Sequence, residues 1–552
     1  MQPTQGHFTI IDWIVLSLYF GATMGIGFYF YRKSRSTEGF MAANRSLPGW
    51  ACGLSIFATY LSSISFLALP GNAFVGNWNA FAFSLSLPVA AWVAVRYFMP
   101  YYRRSGEVSA YALLEHRFGP WARFYTSFFY LMTQLARMGV VMYLMALPLS
   151  VLLGWDIKTI IVITGISVTV YTFVGGIVAV IWADALQAIV LMAGAAMCSL
   201  LMLFRMPEGP GQMIQIALDH HKFSLGSFGL SLTESTFWVV LLYGIVINLQ
   251  NFGIDQSYIQ RYIASKSDKE ARKSVWLGGL LYVPVSAVFF FIGTQLFAFY
   301  QVHPQYLQEV RTIVADQKLM QEGVSTTADD YAQRRQAIAG SLTDGQIGDR
   351  VFPHFIGRIL PSGLTGLLIA AIFAAAMSTV STSLNSSATL LVTDWYKRCF
   401  RPGATEQQSM FACSAATVVW GLMGTGIALI LVRFTESALD IWWTLAGIFS
   451  GGMLGLFLLG IITRRADNAV AAVSVLCGLL VIVWMTLSGQ IPAWLEMMHV
   501  SETAIRRAAA LQSPFHRYLI SVFGTAAILF VGVLLSRRVR PPAAPHNQTP
   551  SN

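Results

Sequence analysis

Hydroxyl side chains recur at helical spacing inside one long apolar stretch. Residues three or four apart share a helix face; the residues on this face are Ala375, Ser378, Thr379, Thr382 and Asn385, with Ser381 just beside it. A sodium ion accepts several neutral oxygens, which such hydroxyls and nearby backbone carbonyls can supply. The same residues can instead form a close helix–helix contact in which each hydroxyl bonds to its own turn. Composition alone leaves both interpretations open.

A second polar patch interrupts the apolar stretch 55–70. Its members are Thr59, Tyr60, Ser62, Ser63 and Ser65. A membrane helix that breaks near the bilayer midplane exposes carbonyls and helix ends, which can form ion and solute sites. The alternative is a packing face of small residues.

Two charged residues, Arg137 and Asp184, lie within apolar stretches. A charge inside a bilayer is costly and marks a functional site by default. The alternative is a structural role, in which the two pair with each other or with polar neighbours.

The elements that position these groups are membrane helices. Hydrophobic residues make up 55% of the chain and charged residues only 11%, with a mean hydropathy of +0.58. Apolar runs long enough to cross a bilayer, about 20 residues each, recur along the chain. They predict an all-α integral membrane protein with about thirteen spans at 8–30, 48–70, 76–100, 121–152, 158–177, 179–204, 234–256, 274–300, 363–392, 409–433, 439–462, 468–487 and 514–536.

Basic residues concentrate in alternate connections between these spans. They follow the first, third, seventh, ninth, eleventh and last spans: Arg32, Lys33, Arg35, Arg45, Arg103, Arg104, Arg117, Arg261, Lys266, Lys269, Arg272, Lys273, Lys397, Arg398, Arg401, Arg464, Arg465, Arg537, Arg538 and Arg540. Cytoplasmic loops carry such an excess. The pattern predicts an N-terminus outside and a C-terminus in the cytoplasm. Residues 301–362 then form a polar, partly helical outer loop, and 541–552 a disordered tail.

Other classes of function fit less well. The net charge of +10 lies in these short loops rather than on one soluble face, which argues against nucleic acid as a partner. The sequence contains no HExxH motif and no convincing Ser/His/Asp group, so an enzyme is not expected. His220 and His221 are interpreted as solvated loop residues, and the five cysteines show no metal-ligand spacing.

Four segments together resemble the sodium/solute symporter family. They are FATYLSSISF, YTFVGGIVAVIWADALQ, IQRYIASKS and AAIFAAAMSTVSTSLNS, in this order along the chain. The resemblance implies sodium-coupled symport of a small organic solute into the cell, across the inner (plasma) membrane, by a monomer. It also implies a LeuT-type 5+5 inverted repeat, with repeats at 48–204 and 234–462 and extra helices at 8–30 and 468–536.

The resemblance further implies one or two sodium sites. The site shared across the family would use carbonyls of Ala58, Leu61 and Ala375 and hydroxyls of Ser378 and Thr379. A second site, present in some members, would use Asp184, Ser378, Ser381 and Thr382. Ser378 would therefore contact both ions.

The substrate pocket resembles that of family members that carry sialic acid. Arg137 takes the position that holds the substrate carboxylate, and a guanidinium suits that role. The other implied pocket residues are Thr59, Tyr60, Ser62, Ser65, Ser84, Asn248 and Asn251. Ser84 and Ala80 depart from that pattern, and Asn251 replaces the tyrosine gate of galactose carriers. An acidic sugar such as sialic acid is expected; the alternatives are a neutral sugar, polyol or monocarboxylate, or a transporter-like receptor or channel.

Overall fold

The computed structural model describes residues 8–31, 35–325, 330–433, 452–498 and 500–537. Over these residues the chain is helical and forms no β-strand, apart from an isolated parallel bridge between Leu47 and Ser265. The all-helical expectation is therefore confirmed. The tail 541–552 lies outside the described residues.

Twenty-four α-helices follow one another along the described chain. The first twelve are α1 (Ile10–Phe30), α2 (Thr37–Ala42), α3 (Gly49–Tyr60), α4 (Ser63–Val75), α5 (Ala82–Leu85), α6 (Leu87–Val93), α7 (Met99–Ser105), α8 (Ala112–Phe118), α9 (Pro120–Leu153), α10 (Ile157–Phe204), α11 (Pro210–Asp219) and α12 (Phe237–Ile254). The others are α13 (Gln256–Ala264), α14 (Asp268–Val302), α15 (Pro304–Gln321), α16 (Tyr331–Ser341), α17 (Asp344–Arg358), α18 (Leu364–Leu390), α19 (Glu406–Leu431), α20 (Gly452–Ile462), α21 (Asn468–Leu487), α22 (Ile491–Met497), α23 (Glu502–Ala510) and α24 (Leu519–Ser536).

Ten of the described helical segments are long and apolar enough to cross a membrane, or eleven if α3 and α4 form one bent span. The predicted eleventh span, 439–462, is described only from residue 452 onward. The count of thirteen therefore stays a prediction.

The longest helical segment, α10, is two antiparallel helices joined at Gly176. Its backbone there has φ 53° and ψ −154°, a conformation open essentially to glycine alone. Contacts with α1 reverse direction at this point: they join Trp13 to Trp155, Gly27 to Tyr171, Phe30 to Trp182 and Tyr19 to Gln187. The two halves match the separate spans predicted at 158–177 and 179–204.

The interrupted span is visible as the break between α3 and α4. Leu61 leaves the helical conformation with φ −91° and ψ 89°, and the two helices meet at 54°. The new helix begins at once because the Ser62 hydroxyl accepts a hydrogen bond from the Ser65 amide.

At the far end of α4, Lys222 Nζ donates to the Phe74 carbonyl at 2.7 Å and the Gly76 carbonyl at 2.9 Å. Burial of this amine lowers the pKa of Lys222 to about 8.

The helix that carries the hydroxyl stripe, α18, runs through the interior of the bundle. In its most apolar segment 94% of the residues are buried, whereas no other candidate span exceeds 61%. It packs against α1, α3, α9 and α10. Its polar side chains are therefore surrounded by protein, and their hydrogen-bond partners lie on α18 itself or on neighbouring helices.

The predicted polar loop 301–362 is mostly helical, as α15, α16 and α17. His354 connects α17 with the end of α14, because its Nδ1 lies 2.7 Å from the Tyr300 hydroxyl. Its Nε2 lies 3.3 Å from Glu309 of α15. The region is a packed helical cap rather than an irregular connection.

Candidate functional site

The carbonyls and hydroxyls of the first expected sodium site meet where α3 ends against α18. The Ser378 hydroxyl lies 3.2 Å from the Ala58 carbonyl and 3.2 Å from the Ala375 carbonyl. Thr379 donates to the same Ala375 carbonyl at 3.1 Å. Leu61 lies at the break that follows Ala58 by less than one turn. The structure thus brings four of the five oxygens into direct contact and puts the fifth residue at the adjacent helix end.

These contacts fit an ion site made of neutral oxygens. A hydroxyl that donates to a carbonyl keeps its own lone pairs for a cation. A residue that leaves the helix, as Leu61 does, frees carbonyls from the regular ladder of hydrogen bonds. The bond from Thr379 to Ala375 is also the back-bond that the packing alternative predicts. The contact between Ser378 and Ala58 is different because it crosses from one helix to the other.

The second group of expected sodium ligands is organised around Asp184, which is completely buried. Its Oδ2 accepts a hydrogen bond from the Ser55 hydroxyl at 2.5 Å. Its Oδ1 is buried and has no hydrogen-bond partner among the described residues. Ser381 donates to the Ser378 carbonyl at 3.1 Å. An unpartnered carboxylate oxygen beside a hydroxyl-rich helix is the type of group that a cation would satisfy.

Arg261 is the partner of Asp184, and this corrects two expectations. Its Nη2 lies 2.9 Å from Asp184 Oδ2 and 2.6 Å from the Thr382 hydroxyl. The positive-inside pattern counted Arg261 as a loop residue, but the structure buries it completely in α13. The alternative in which Asp184 pairs with Arg137 is wrong, because the guanidinium that reaches the carboxylate comes from α13.

Two further hydrogen bonds hold the Arg261 side chain. Its Nε donates to the Ser55 hydroxyl at 2.7 Å, and its Nη1 donates to the Ser257 carbonyl. All nine residues of α13 are buried. In a region of low dielectric constant, a buried ion pair is tolerated only when further hydrogen bonds satisfy its donors and acceptors. Arg261 meets that condition. It contacts Asp184 and Thr382, two of the four residues expected to hold a second sodium ion.

Only a weak signal in the sequence distinguished Arg261 from true loop residues. It lies in QRYIA, between aromatic and aliphatic neighbours, whereas Lys266, Lys269, Arg272 and Lys273 lie in a run of polar residues. Ser55 lies at the start of the polar stretch 55–70, and the sequence does not predict it as a site residue. Both residues come from short segments whose packing depends on distant helices.

One set of expected substrate residues surrounds the break between α3 and α4. Arg137 Nη2 donates to the Thr59 carbonyl at 3.1 Å, and the Ser62 and Ser65 hydroxyls lie 3.4 Å apart. The Tyr60 ring packs against aromatic side chains, and its hydroxyl neighbours the Asn251 side chain. The structure therefore brings these six residues together.

The remaining two expected residues, Ser84 and Asn248, lie at a neighbouring contact. Asn248 Nδ2 donates to the Ser86 hydroxyl at 2.8 Å, and its Oδ1 has no partner among the described residues. Ser84 is buried in the same short helix region, two residues before Ser86. No direct contact joins this pair to Arg137 among the hydrogen bonds of the described chain.

Comparisons with known proteins identify the family of the chain. The profile of the sodium:solute symporter family matches residues 40–478. The sodium/sialic acid symporter NanT of Aliivibrio fischeri is 31% identical over 484 residues, which is 87% of this chain and 88% of the relative. The sodium/sialic acid symporter SiaT of Proteus mirabilis is 31% identical over 478 residues, 86% of this chain and 89% of the relative.

A solved structure has the same fold. It is a Na⁺-coupled sialic acid symporter in a substrate-bound, outward-open state, and it matches with a TM-score of 0.81, 26% identity and coverage of 97% of this chain and 99% of that one. The family resemblance, sodium coupling and a transporter rather than an enzyme are confirmed. The chain belongs to the sodium:solute symporter family.

Proposed function

We propose that this chain imports an acidic sugar of the sialic acid type together with sodium ions. The observation that carries the proposal is Arg137, a half-buried guanidinium at the helix break with no ion-pair partner among the described residues. Two relatives of similar length are named as sodium/sialic acid symporters, which supports the same substrate class.

An acidic group suits this position for two physical reasons. The guanidinium offers five N–H donors, of which one bonds to the Thr59 carbonyl. The N-terminus of α4 lies at the same break, and the positive end of a helix dipole favours an anion. A carboxylate bound there would pair with Arg137, while Ser62, Ser65 and Asn251 would contact the sugar hydroxyls.

The proposed sodium sites are those expected from the family. The first would use Ala58, Leu61, Ala375, Ser378 and Thr379, and the second Asp184, Ser378, Ser381 and Thr382. The contacts around Ser378 and the unpartnered Asp184 Oδ1 support them. We further propose that the protein is a monomer of the inner (plasma) membrane, with its N-terminus outside and its C-terminus in the cytoplasm, organised as two inverted repeats.

Replacing Arg137 by glutamine tests the substrate class. The loss of a charged partner for a desolvated carboxylate costs about 2–5 kcal/mol, so substrate affinity should fall on the order of a hundredfold. Arg137→Lys keeps the positive charge but cannot form two parallel hydrogen bonds to a carboxylate, so its substrate affinity should fall about tenfold. Affinity is measured by competition with labelled N-acetylneuraminate uptake, using sialic acids, uronic acids, neutral sugars and monocarboxylates. Competition by neutral sugars but by no carboxylate would contradict the proposal.

A further inference from the structure

A groove lined by arginine and aromatic side chains lies where α7 ends and α14 begins. Its volume is about 610 Å³, within the usual range for small-molecule sites. Arg96, Arg104 and Arg272 are among the residues that line it. We infer that this groove binds the headgroup of an anionic phospholipid, with phosphatidylglycerol as the representative ligand.

The charge of the groove is unbalanced within the protein. Asp268 is its acidic residue, and that carboxylate already pairs with Arg103 from outside the groove. None of Arg96, Arg104 and Arg272 forms an ion pair with any described residue. Three exposed arginines therefore line one groove without an ion-pair partner among the described residues, and an anion from outside the protein can pair with them.

The depth of the groove favours a lipid over a soluble anion. Arg96 lies inside the candidate span Asn79–Ser105 and precedes the predicted span end at residue 100 by four positions, which corresponds to roughly 6 Å along a helix. Its side chain is exposed on the outside of the helix. A guanidinium at this depth is costly in hydrocarbon unless it reaches a headgroup. A phospholipid phosphate at the edge of the bilayer is the anion that can approach it from the side.

The aromatic residues of the groove mark the same boundary. Trp92, Tyr97 and Tyr101 are 53%, 51% and 43% exposed, and tryptophan and tyrosine are enriched at membrane–water interfaces. The Arg96 guanidinium lies 5.2 Å from the centre of the Tyr97 ring, which holds the charge at the mouth of the groove. In the proposed orientation this mouth faces the cytoplasmic leaflet, whose anionic lipids attract basic segments.

Purified full-length protein in a neutral detergent can be titrated with phosphatidylglycerol, with phosphatidylcholine of the same acyl chains, and with inorganic phosphate. Bound lipid is counted by native mass spectrometry, and the thermal midpoint is followed in parallel. We expect phosphatidylglycerol alone to remain bound and to raise the midpoint. Equal retention of phosphatidylcholine, or displacement of the lipid by millimolar inorganic phosphate, would overturn the inference.

The variant Arg96→Gln/Arg272→Gln should bind phosphatidylglycerol about thirtyfold more weakly, since each basic residue near an anionic surface contributes about 1 kcal/mol. Arg272→Gln alone should bind phosphatidylglycerol about fivefold more weakly. Because Arg272 is exposed, this single variant still tests the groove if the double variant folds poorly. Lys273→Gln changes the same charge on the same helix outside the groove and should bind within about twofold of the parent. Unchanged affinity in Arg272→Gln, or an equal loss in Lys273→Gln, would refute the groove as the site.

Discussion

Replacing Arg261 with glutamine is expected to destabilise the protein by about 3–5 kcal/mol, the usual cost of removing one partner from a buried ion pair. The change leaves the Asp184 carboxylate, which is fully buried, without its cationic partner. It also removes donors to Ser55 and Thr382. The thermal midpoint of purified protein, followed by size-exclusion chromatography after heating, should fall sharply and the yield of monodisperse protein with it.

Two controls separate this loss from a general effect of removing an arginine. Arg334→Gln breaks an exposed pair with Asp330, which is worth about 0–1 kcal/mol, so its midpoint should barely change. The double variant Asp184→Asn/Arg261→Gln removes both charges and should recover most of the stability lost in the single variant. If Arg261→Gln is as stable as Arg334→Gln, the ion pair is not what holds α13 in place.

The same pair bears on the proposed second sodium site. Arg261 contacts Asp184 Oδ2 and the Thr382 hydroxyl in this structure. An ion bound there must either use the free Oδ1 or displace the guanidinium. The stable double variant should therefore keep the fold while losing any sodium dependence that comes from Asp184.

Ser378→Ala is expected to raise the sodium concentration for half-maximal uptake by about tenfold or more. A hydrogen bond or ligand to a charged group is worth about 1.5–3 kcal/mol, and this hydroxyl would serve both proposed ions. The measurement is a sodium titration of uptake in proteoliposomes. Ser387→Ala is the matched control, because Ser387 is buried in the same helix and its hydroxyl has no described partner.

This comparison also decides between ion binding and packing for the hydroxyl stripe. If the stripe only joins helices, Ser378→Ala should lower the thermal midpoint and leave the sodium requirement unchanged. If it binds sodium, the requirement should rise while the midpoint changes little. An equal rise in Ser387→Ala would contradict a specific role for Ser378.

The sequence was most informative where a local pattern determines the structure. The break near Leu61 follows from polar residues inside an apolar span, and Ser62 caps the next helix by its own hydroxyl. The stripe from Ala375 to Thr382 follows from helical spacing, which is independent of what packs around it. These patterns predicted the helix break and the stripe, and the structure has the break at the end of α3 and the stripe on α18.

The partner of Asp184 could not be found in this way. Arg261 is 77 residues away in the chain, and only the packing of α13 among α2, α3, α14 and α18 brings it to the carboxylate. The charge-counting rule assumes that a basic residue near a span end is solvated. A buried arginine with four partners violates that assumption, and no local feature of the sequence reveals the partners.

Sodium-driven uptake of an acidic sugar, the proposed function, can be tested directly. Proteoliposomes containing the purified protein can be loaded with choline and diluted into labelled N-acetylneuraminate with either sodium or choline outside. We expect the sugar to accumulate above its equilibrium level only with the inward sodium gradient, and a sodium ionophore to abolish the accumulation. Equal uptake in sodium and in choline would contradict it.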